Sequence, residues 1–200
     1  MSSKLTDKKR AAIISAAITE FNNLGFATAT MDGIAARAEV SKRTVYNHFS
    51  SKEALFLQIT DRVCKAVAQA TEMAYDPEKT VEEQLLELAR RQLELVTSHD
   101  FLTMARVTLP ERVRNPELNT ENFEAMRRGE TGLSRWIEQA IQAGALDLPD
   151  ARDAGRRFAA MLLEFGFWPV LFTLCAPPDK ETCQNVARET VDLFLNGCRH

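Results

Sequence analysis

The stretch between residues 30 and 53, TMDGIAARAEVSKRTVYNHFSSKE, restricts the possible folds more than any other part of the chain. Thr30 can cap a helix whose apolar residues recur every three or four positions, and Ser41 can cap a short second helix that ends at His48. The chain breaks between them, around Glu39. The residues predicted to fill the space between the two helices are Ile34, Ala35, Val40 and Val45. This pattern predicts a helix-turn-helix unit.

The outward face of the second helix consists of hydrogen-bond donors and cations, without an acidic residue. Such groups recognise phosphates and base edges, so the unit is interpreted as DNA-binding. Ser50 and Glu53 fit a capping box, and the positive end of the helix that it opens predicts a further phosphate site beside Lys52. The residues predicted to contact DNA are Thr30, Ser41, Lys42, Arg43, Thr44, Tyr46, Asn47, His48 and Lys52. Of these, we expect Arg43, Thr44 and Asn47 to face bases.

The distribution of charge supports this interpretation. The chain has a net charge of −3, but residues 1–52 contain eight Lys or Arg against four acidic residues, which gives +4. The other 148 residues contain 17 basic and 24 acidic groups, which gives −7. This asymmetry favours attraction of DNA to the N-terminal end of the chain.

The same segment resembles the signature of the tetracycline-repressor-like (TetR) family of one-component regulators. The similar positions are Thr30-Met31-Asp32, Ile34-Ala35, Ala38, Val40-Ser41-Lys42, Thr44-Val45-Tyr46, Asn47-His48-Phe49 and Lys52-Glu53-Ala54-Leu55-Phe56. The chain departs from the family pattern twice, with Glu39 where glycine is usual and Arg43 where glycine or alanine is common. Because the turn position often requires a positive φ, Glu39 is expected to cost about 1 kcal/mol.

The rest of the chain has helical periodicity and no strand pattern, which predicts an all-α fold of about nine helices. We expect a DNA-binding domain over 1–54 and an effector-binding and dimerisation domain over 55–200. The further helices are predicted at 11–24, 55–75, 80–98, 101–112, 119–143, from Asp150 onward, and from Asp179 to Gly197.

The segment 158–176, FAAMLLEFGFWPVLFTLCA, has two interpretations. It is nearly long enough to cross a membrane, but Glu164 and Pro169 favour a helix that is buried in protein on all sides. A second copy of the chain could supply the missing partner, and the last helix has a matching apolar stripe. That stripe comprises Cys183, Val186, Ala187, Thr190, Val191 and Phe194. The resemblance likewise implies a homodimer formed through the last two long helices, which would recognise an inverted repeat.

Bulky apolar side chains recur at helical spacing in the C-terminal part, and each is more often core than pocket. The resemblance implies a cavity among these helices for a small, largely apolar effector. The residues predicted to line it are Met104, Arg106, Phe123, Trp136, Glu164, Phe165 and Trp168. An effector that fits only the state unable to bind DNA would release the DNA by population shift.

These features predict a repressor of a palindromic operator that is released by a small molecule. A constitutive or architectural DNA-binding protein without an effector is the alternative. An enzyme is disfavoured because no set of nucleophile, base and acid and no phosphate-binding loop is evident, and neither a cofactor nor a metal site is predicted. The four cysteines form no CxxC pair and the N-terminus lacks an apolar signal sequence, so a reducing cytoplasmic location is expected.

Overall fold

The structure is a computed structural model that describes residues 2–197, with side chains from Thr6 onward. Within these residues it contains helices and no strand, which confirms the all-α prediction. The described part has eleven helices rather than about nine. They are α1 (Ser2–Leu24), α2 (Met31–Arg37), α3 (Lys42–His48), α4 (Lys52–Ala70), α5 (Val81–Val96), α6 (His99–Arg114), α7 (Glu121–Arg127), α8 (Gly132–Gln142), α9 (Ala151–Gly166), α10 (Trp168–Leu171) and α11 (Lys180–Gly197).

Two breaks in expected helices account for the larger number. The helix predicted over 119–143 is divided into α7 and α8, because Gly129 takes a φ of 75° and Thr131 caps a new helix by accepting from the amide of Ser134. The segment 158–176 is divided after α9, where Pro169 lies at the start of α10. Proline lacks the amide proton that a continuing helix would need, so the chain starts a new turn there.

Several predicted helix starts are confirmed by capping hydrogen bonds. Thr80 and Glu83 form the expected capping box at the start of α5, and Asp150 accepts from two amides at the start of α9. Gly25, with a φ of 78°, ends α1 as predicted. The helix expected to reach residue 75 instead ends at Ala70.

The chain divides into two compact units. The first comprises Met1–Val63 and Thr103–Thr120, and the second comprises Cys64–Leu102 and Glu121–His200. This division differs from the boundary expected at residue 54. The helix α4 passes that position without a break, and its residues Leu55, Phe56 and Ile59 are fully buried in the core of the first unit.

The core of the first unit joins α1 to the helix-turn-helix segment. Ile13, Ile14 and Ala17 of α1 are fully buried there, together with Ile34 of α2 and Val45 of α3. Each Ile or Val side chain buried in this way contributes roughly 1.5–3 kcal/mol to folding. The packing therefore holds α2 and α3 against α1 as one body.

The core of the second unit is formed by α5, α8, α9 and α11. Trp136 is fully buried at its centre, and its indole N–H donates to Oε1 of Gln84 over 3.2 Å. Phe158 of α9 and Phe194 of α11 pack edge to face, with ring centroids 5.2 Å apart. The hydrogen bond to Gln84 satisfies the indole N–H of Trp136. The ring contact between Phe158 and Phe194 packs α9 against α11.

The segment 158–176 and the apolar stripe on α11 were predicted to form a dimer interface. Their burial in the single chain differs from that expectation. The segment 158–176 is not buried on all sides, because Phe165, Phe172 and Leu174 are 61%, 63% and 78% exposed. The stripe on α11 faces inward instead, since Ala187, Val191 and Phe194 belong to the core of their own chain and Thr190 is buried. An apolar stripe fixes which side of a helix is buried but not which partner covers it. No helix within residues 2–197 is long and apolar enough to cross a membrane.

A close backbone approach in the second unit gives a testable consequence. A Cβ added to Gly132 at the start of α8 would lie 2.4 Å from the carbonyl oxygen of Thr71, whereas one added to Gly155 in α9 would meet Ser134 at 3.5 Å. We expect Gly132→Ala to lower the free energy of unfolding by about 1–3 kcal/mol through overpacking. Gly155→Ala is the matched control and should be neutral or stabilising by up to about 1 kcal/mol. Thermal denaturation of both variants measures this, and equal melting temperatures would contradict the close approach.

Candidate nucleic-acid interface

The turn between α2 and α3 is fixed by its backbone hydrogen bonds. Glu39 has a φ of 53°, and its amide donates to the carbonyl of Ala36 over 3.2 Å. The amide of Val40 donates to the carbonyl of Ala35 over 3.1 Å. These two bonds form a Schellman motif, in which the residue at the Glu39 position is left-handed. The expectation that this position needs a positive φ is therefore confirmed.

Two hydroxyl groups fix the starts of the crossed helices. Thr30 Oγ1 accepts from the amide of Gly33 over 3.1 Å, and Ser41 Oγ accepts from the amide of Thr44 over 3.1 Å. Both residues are thus N-caps, as predicted. The expected Ser50–Glu53 capping box is wrong, because the amide of Ala54 donates to Ser51 Oγ over 3.2 Å and Glu53 is the second rather than the third residue of α4.

The helix α3, which we call the recognition helix, presents one face to solvent. Val45 is fully buried, whereas Lys42, Arg43, Tyr46 and Asn47 are exposed. Thr44 and His48 lie at the margins of this face and are partly buried. The structure therefore brings the six outward residues of the sequence prediction onto one short surface. Their contact with DNA remains a prediction.

Most cations near the recognition helix have partners within the chain. Arg37 Nε lies 2.9 Å from Glu20 Oε2, and Lys42 Nζ lies 2.8 Å from Asp32 Oδ1. The hydrogen bond to Asp32, and then the charge of that carboxylate, raise the pKa of Lys42 above its ordinary value. Within residues 2–197, Arg43 has no hydrogen bond or ion pair, so its guanidinium group is available to a ligand.

Lys52 has a different environment from the one predicted. Its ammonium group donates to the backbone carbonyls of Phe26 (2.8 Å), Ala27 (2.9 Å) and Ala29 (3.3 Å), and it lies 4.9 Å from the centre of the Phe26 ring. An ammonium group has three protons, and these bonds use all of them. The prediction that Lys52 binds a phosphate is corrected accordingly: the side chain ties the α1–α2 loop to the start of α4.

The predicted effector residues are not assembled into one site in either unit. Met104 and Arg106 belong to the first unit, and Met104 packs on its core. The other five belong to the second unit. There, Trp136 is fully buried in the core, Phe123 and Trp168 are partly buried, and Glu164 and Phe165 are exposed. Helical periodicity identified apolar positions correctly but could not separate core from surface.

Two cavities in the second unit are lined by other residues. A cavity of about 260 Å³ lies among the C-terminal half of α4, α7 and the start of α8, with Val67, Ala68 and Met126 on its apolar wall and Arg135 at its edge. A second, more polar cavity of about 460 Å³ lies between α8 and the start of α9. None of the seven predicted effector residues lines either cavity.

The pairings Lys42–Asp32 and Lys52–Phe26 were not foreseen from the sequence. Asp32 follows the cap Thr30, and acidic residues are common in the first turn of a helix, so its position gave no sign of a partner on α3. Which side chains meet depends on how α2 crosses α3, and residue spacing within one helix does not determine that angle.

A helix-turn-helix body joined to a larger helical unit is the architecture of a DNA-binding transcriptional regulator. Comparison with known proteins agrees with this class. Residues 13–59 match the family model for bacterial regulatory proteins of the tetR family, and residues 83–197 match the model for the C-terminal domain of AefR-like transcriptional repressors. The chain belongs to the TetR family.

Individual relatives support the same assignment. A TetR family transcriptional regulator from Pseudomonas syringae pv. tomato is 38% identical, with a TM-score of 0.79 over 95% of this chain and 96% of that one. The Flavonoid-responsive Regulator FrrA is 27% identical, with a TM-score of 0.74 over 96% of this chain and 97% of that one. The HTH-type transcriptional activator FasR of Mycolicibacterium smegmatis is 28% identical over 73% of this chain and 72% of that protein.

Family membership decides the class of function. Members of the TetR family are DNA-binding transcriptional regulators, mostly repressors with a ligand-binding C-terminal domain, and they are not enzymes. Dimerisation and binding of small-molecule effectors are typical of the family. This chain is accordingly a regulator of transcription.

The left-handed Glu39 leads to a prediction about stability. Glycine adopts this conformation without the steric cost of a Cβ, so Glu39→Gly should stabilise the first unit by up to about 1 kcal/mol. Glu39→Gln is the matched control, because it removes the charge and keeps the strain. Thermal unfolding of the two variants separates these causes. An equal gain from Glu39→Gln would attribute the cost to the carboxylate rather than to the backbone.

Proposed function

We propose that the chain is a homodimeric repressor that binds an inverted-repeat operator through α3 and leaves it when a small molecule binds the second unit. The observation that supports this most directly is the exposed face of α3. That face is oriented by two capped helix starts and the Schellman turn, and it presents Arg43, which has no partner among the described side chains. Arginine can pair bidentately with guanine in the major groove. We place this activity in the cytoplasm because bacterial DNA lies there.

A dimer is proposed because one short helix contacts too few bases for tight specific binding. The exposed apolar side chains of the second unit support such an interface. Phe165 of α9, Phe172 and Leu174 after α10, and Leu193 of α11 are each more than 60% exposed. Phe165 and Leu193 lie on helices that pack against each other, and exposed large apolar side chains are typical of surfaces that another protein covers.

The cavity of about 260 Å³ is the proposed effector site. Its walls combine apolar side chains of α4 and α7 with polar and charged groups, which could bind a small molecule that has both apolar and polar parts. One relative is named as flavonoid-responsive, which supports a small organic effector for this chain as well. This site replaces the seven residues predicted from the sequence.

The operator prediction is tested with DNA selected from a random pool by the immobilised protein. We expect the selected sequence to be an inverted repeat and the affinity to fall toward the non-specific level when one half-site is scrambled, by about 10³-fold or more. Arg43→Ala should weaken binding by roughly tenfold to a hundredfold. Arg127→Ala, in α7 of the second unit, is the control and should bind as the wild type does. Unchanged affinity after scrambling would refute recognition by two related helices.

The interface prediction is tested by the oligomeric state. Leu193→Glu should yield a monomer, because a charge at the interface would be buried without a partner. Val113, in the first unit, is 85% exposed, so Val113→Glu is the control and should remain dimeric. Light scattering coupled to size-exclusion chromatography measures the mass of each variant. A dimeric Leu193→Glu protein together with a monomeric Val113→Glu protein would place the interface elsewhere.

A further inference from the structure

The first residue of the recognition helix is held by a carboxylate of the preceding helix. Lys42 Nζ lies 2.8 Å from Oδ1 of Asp32 and 3.0 Å from Oδ2, so both oxygens of the carboxylate face the ammonium group. The side chains of Lys42 and Asp32 are 60% and 64% exposed. The pair therefore lies in solvent at the start of α3, where DNA has direct access to it.

The other cations of the segment 30–53 have different partners. Arg37 is paired with Glu20, whose side chain is only 8% exposed, and Lys52 is saturated by backbone carbonyls. Arg43 has no partner within the described residues. Lys42 is consequently the one cation of this segment, as far as the structure describes it, whose counter-ion is itself exposed and can be exchanged for a phosphate.

We propose that Asp32 competes with DNA for Lys42 and thereby limits the affinity and the salt dependence of operator binding. This inference rests on the proposed function. When a phosphate replaces the carboxylate at Lys42, the ion pair is broken and Asp32 is left beside the negatively charged backbone. Both changes oppose binding, so a neutral residue at position 32 relieves them. Asp32 is a positioning residue, because it acts on DNA through Lys42.

The size of the effect follows from the exposure of the pair. An ion pair in solvent contributes about 0.2–1 kcal/mol, which corresponds to a factor of roughly 1.4 to 5 in affinity. Each additional phosphate that is neutralised steepens the slope of log K against log salt by about 0.9. The affinity and the slope of log K against log salt report different events. The change in affinity reports the cost of breaking the ion pair, and the change in slope reports the additional phosphate that Lys42 neutralises.

The experiment compares two variants that remove one carboxylate each from the first turn of a helix. Asp32→Asn removes the partner of Lys42 in α2, and Glu53→Gln removes the exposed first-turn acid of α4. Binding of the full-length protein to the selected operator is measured between about 50 and 200 mM salt. We expect Asp32→Asn to bind roughly twofold to fivefold more tightly at the low end and with a steeper slope. Glu53→Gln should change both quantities less.

A double-mutant cycle with Lys42→Gln tests the mechanism. Removing Lys42 should weaken binding more in the Asp32→Asn protein than in the wild type, because only in the variant is the ammonium group fully available. Asp32→Ser provides the same comparison if Asp32→Asn unfolds at a lower temperature. Equal effects of Asp32→Asn and Glu53→Gln, or of Lys42→Gln in both backgrounds, would overturn the inference. A wild-type protein that binds operator and scrambled DNA equally would instead refute the proposed function.

Discussion

The left-handed turn at Glu39 is the constraint on which the exposed face of α3 depends. The amides of Glu39 and Val40 donate to carbonyl groups in the last turn of α2. The chain therefore leaves α2 and enters α3 in one fixed direction. The direction places Val45 in the core with Ile34 of α2. Once Val45 points inward, the helical period turns Arg43 and Tyr46 outward. The left-handed conformation of Glu39 thus costs about 1 kcal/mol and orients the whole recognition helix.

Features that depend on neighbouring residues could be predicted from the sequence. The caps Thr30 and Ser41 follow from interactions within a few positions along the chain, and the positive φ at Glu39 was expected from the family resemblance. Ser50 fits a capping box by its spacing to Glu53, whereas Ser51 is the cap in the structure, and a one-residue difference lies within the usual uncertainty of helix ends. The hydrogen bonds of the Lys52 ammonium group could not be predicted, because the carbonyl groups that accept them lie 23 to 26 positions earlier in the chain.

Contacts between residues far apart in the chain also explain which features of the second unit could not be predicted. Apolar periodicity identified buried faces on α8, α9 and α11 but not the neighbour of each face. Trp136 was therefore assigned to a pocket and lies in the core, whereas the α11 stripe was assigned to a dimer partner and packs within its own chain. The side chains left exposed by that packing, such as Phe165 and Leu193, were recognisable only once the core was known.

Helix α4 contributes residues to both units, so under the proposed function it is the element through which effector binding reaches the first unit. Its first residues are buried in the core of the first unit, and its later residues Val67 and Ala68 line the cavity of about 260 Å³. The residue directly after this helix also approaches α8, because the backbone of Thr71 leaves no room for a Cβ on Gly132. A molecule that separates α4 from α8 therefore acts on a helix rather than on a loop. Such a molecule changes DNA binding only by the difference in its affinity for the two positions of α4, and a shift from 1:99 to 99:1 requires about 5.5 kcal/mol. A molecule in a small cavity reaches this difference in binding free energy only if it loses most of its wall contacts in one of the two states. This favours an effector that contacts both α4 and α8.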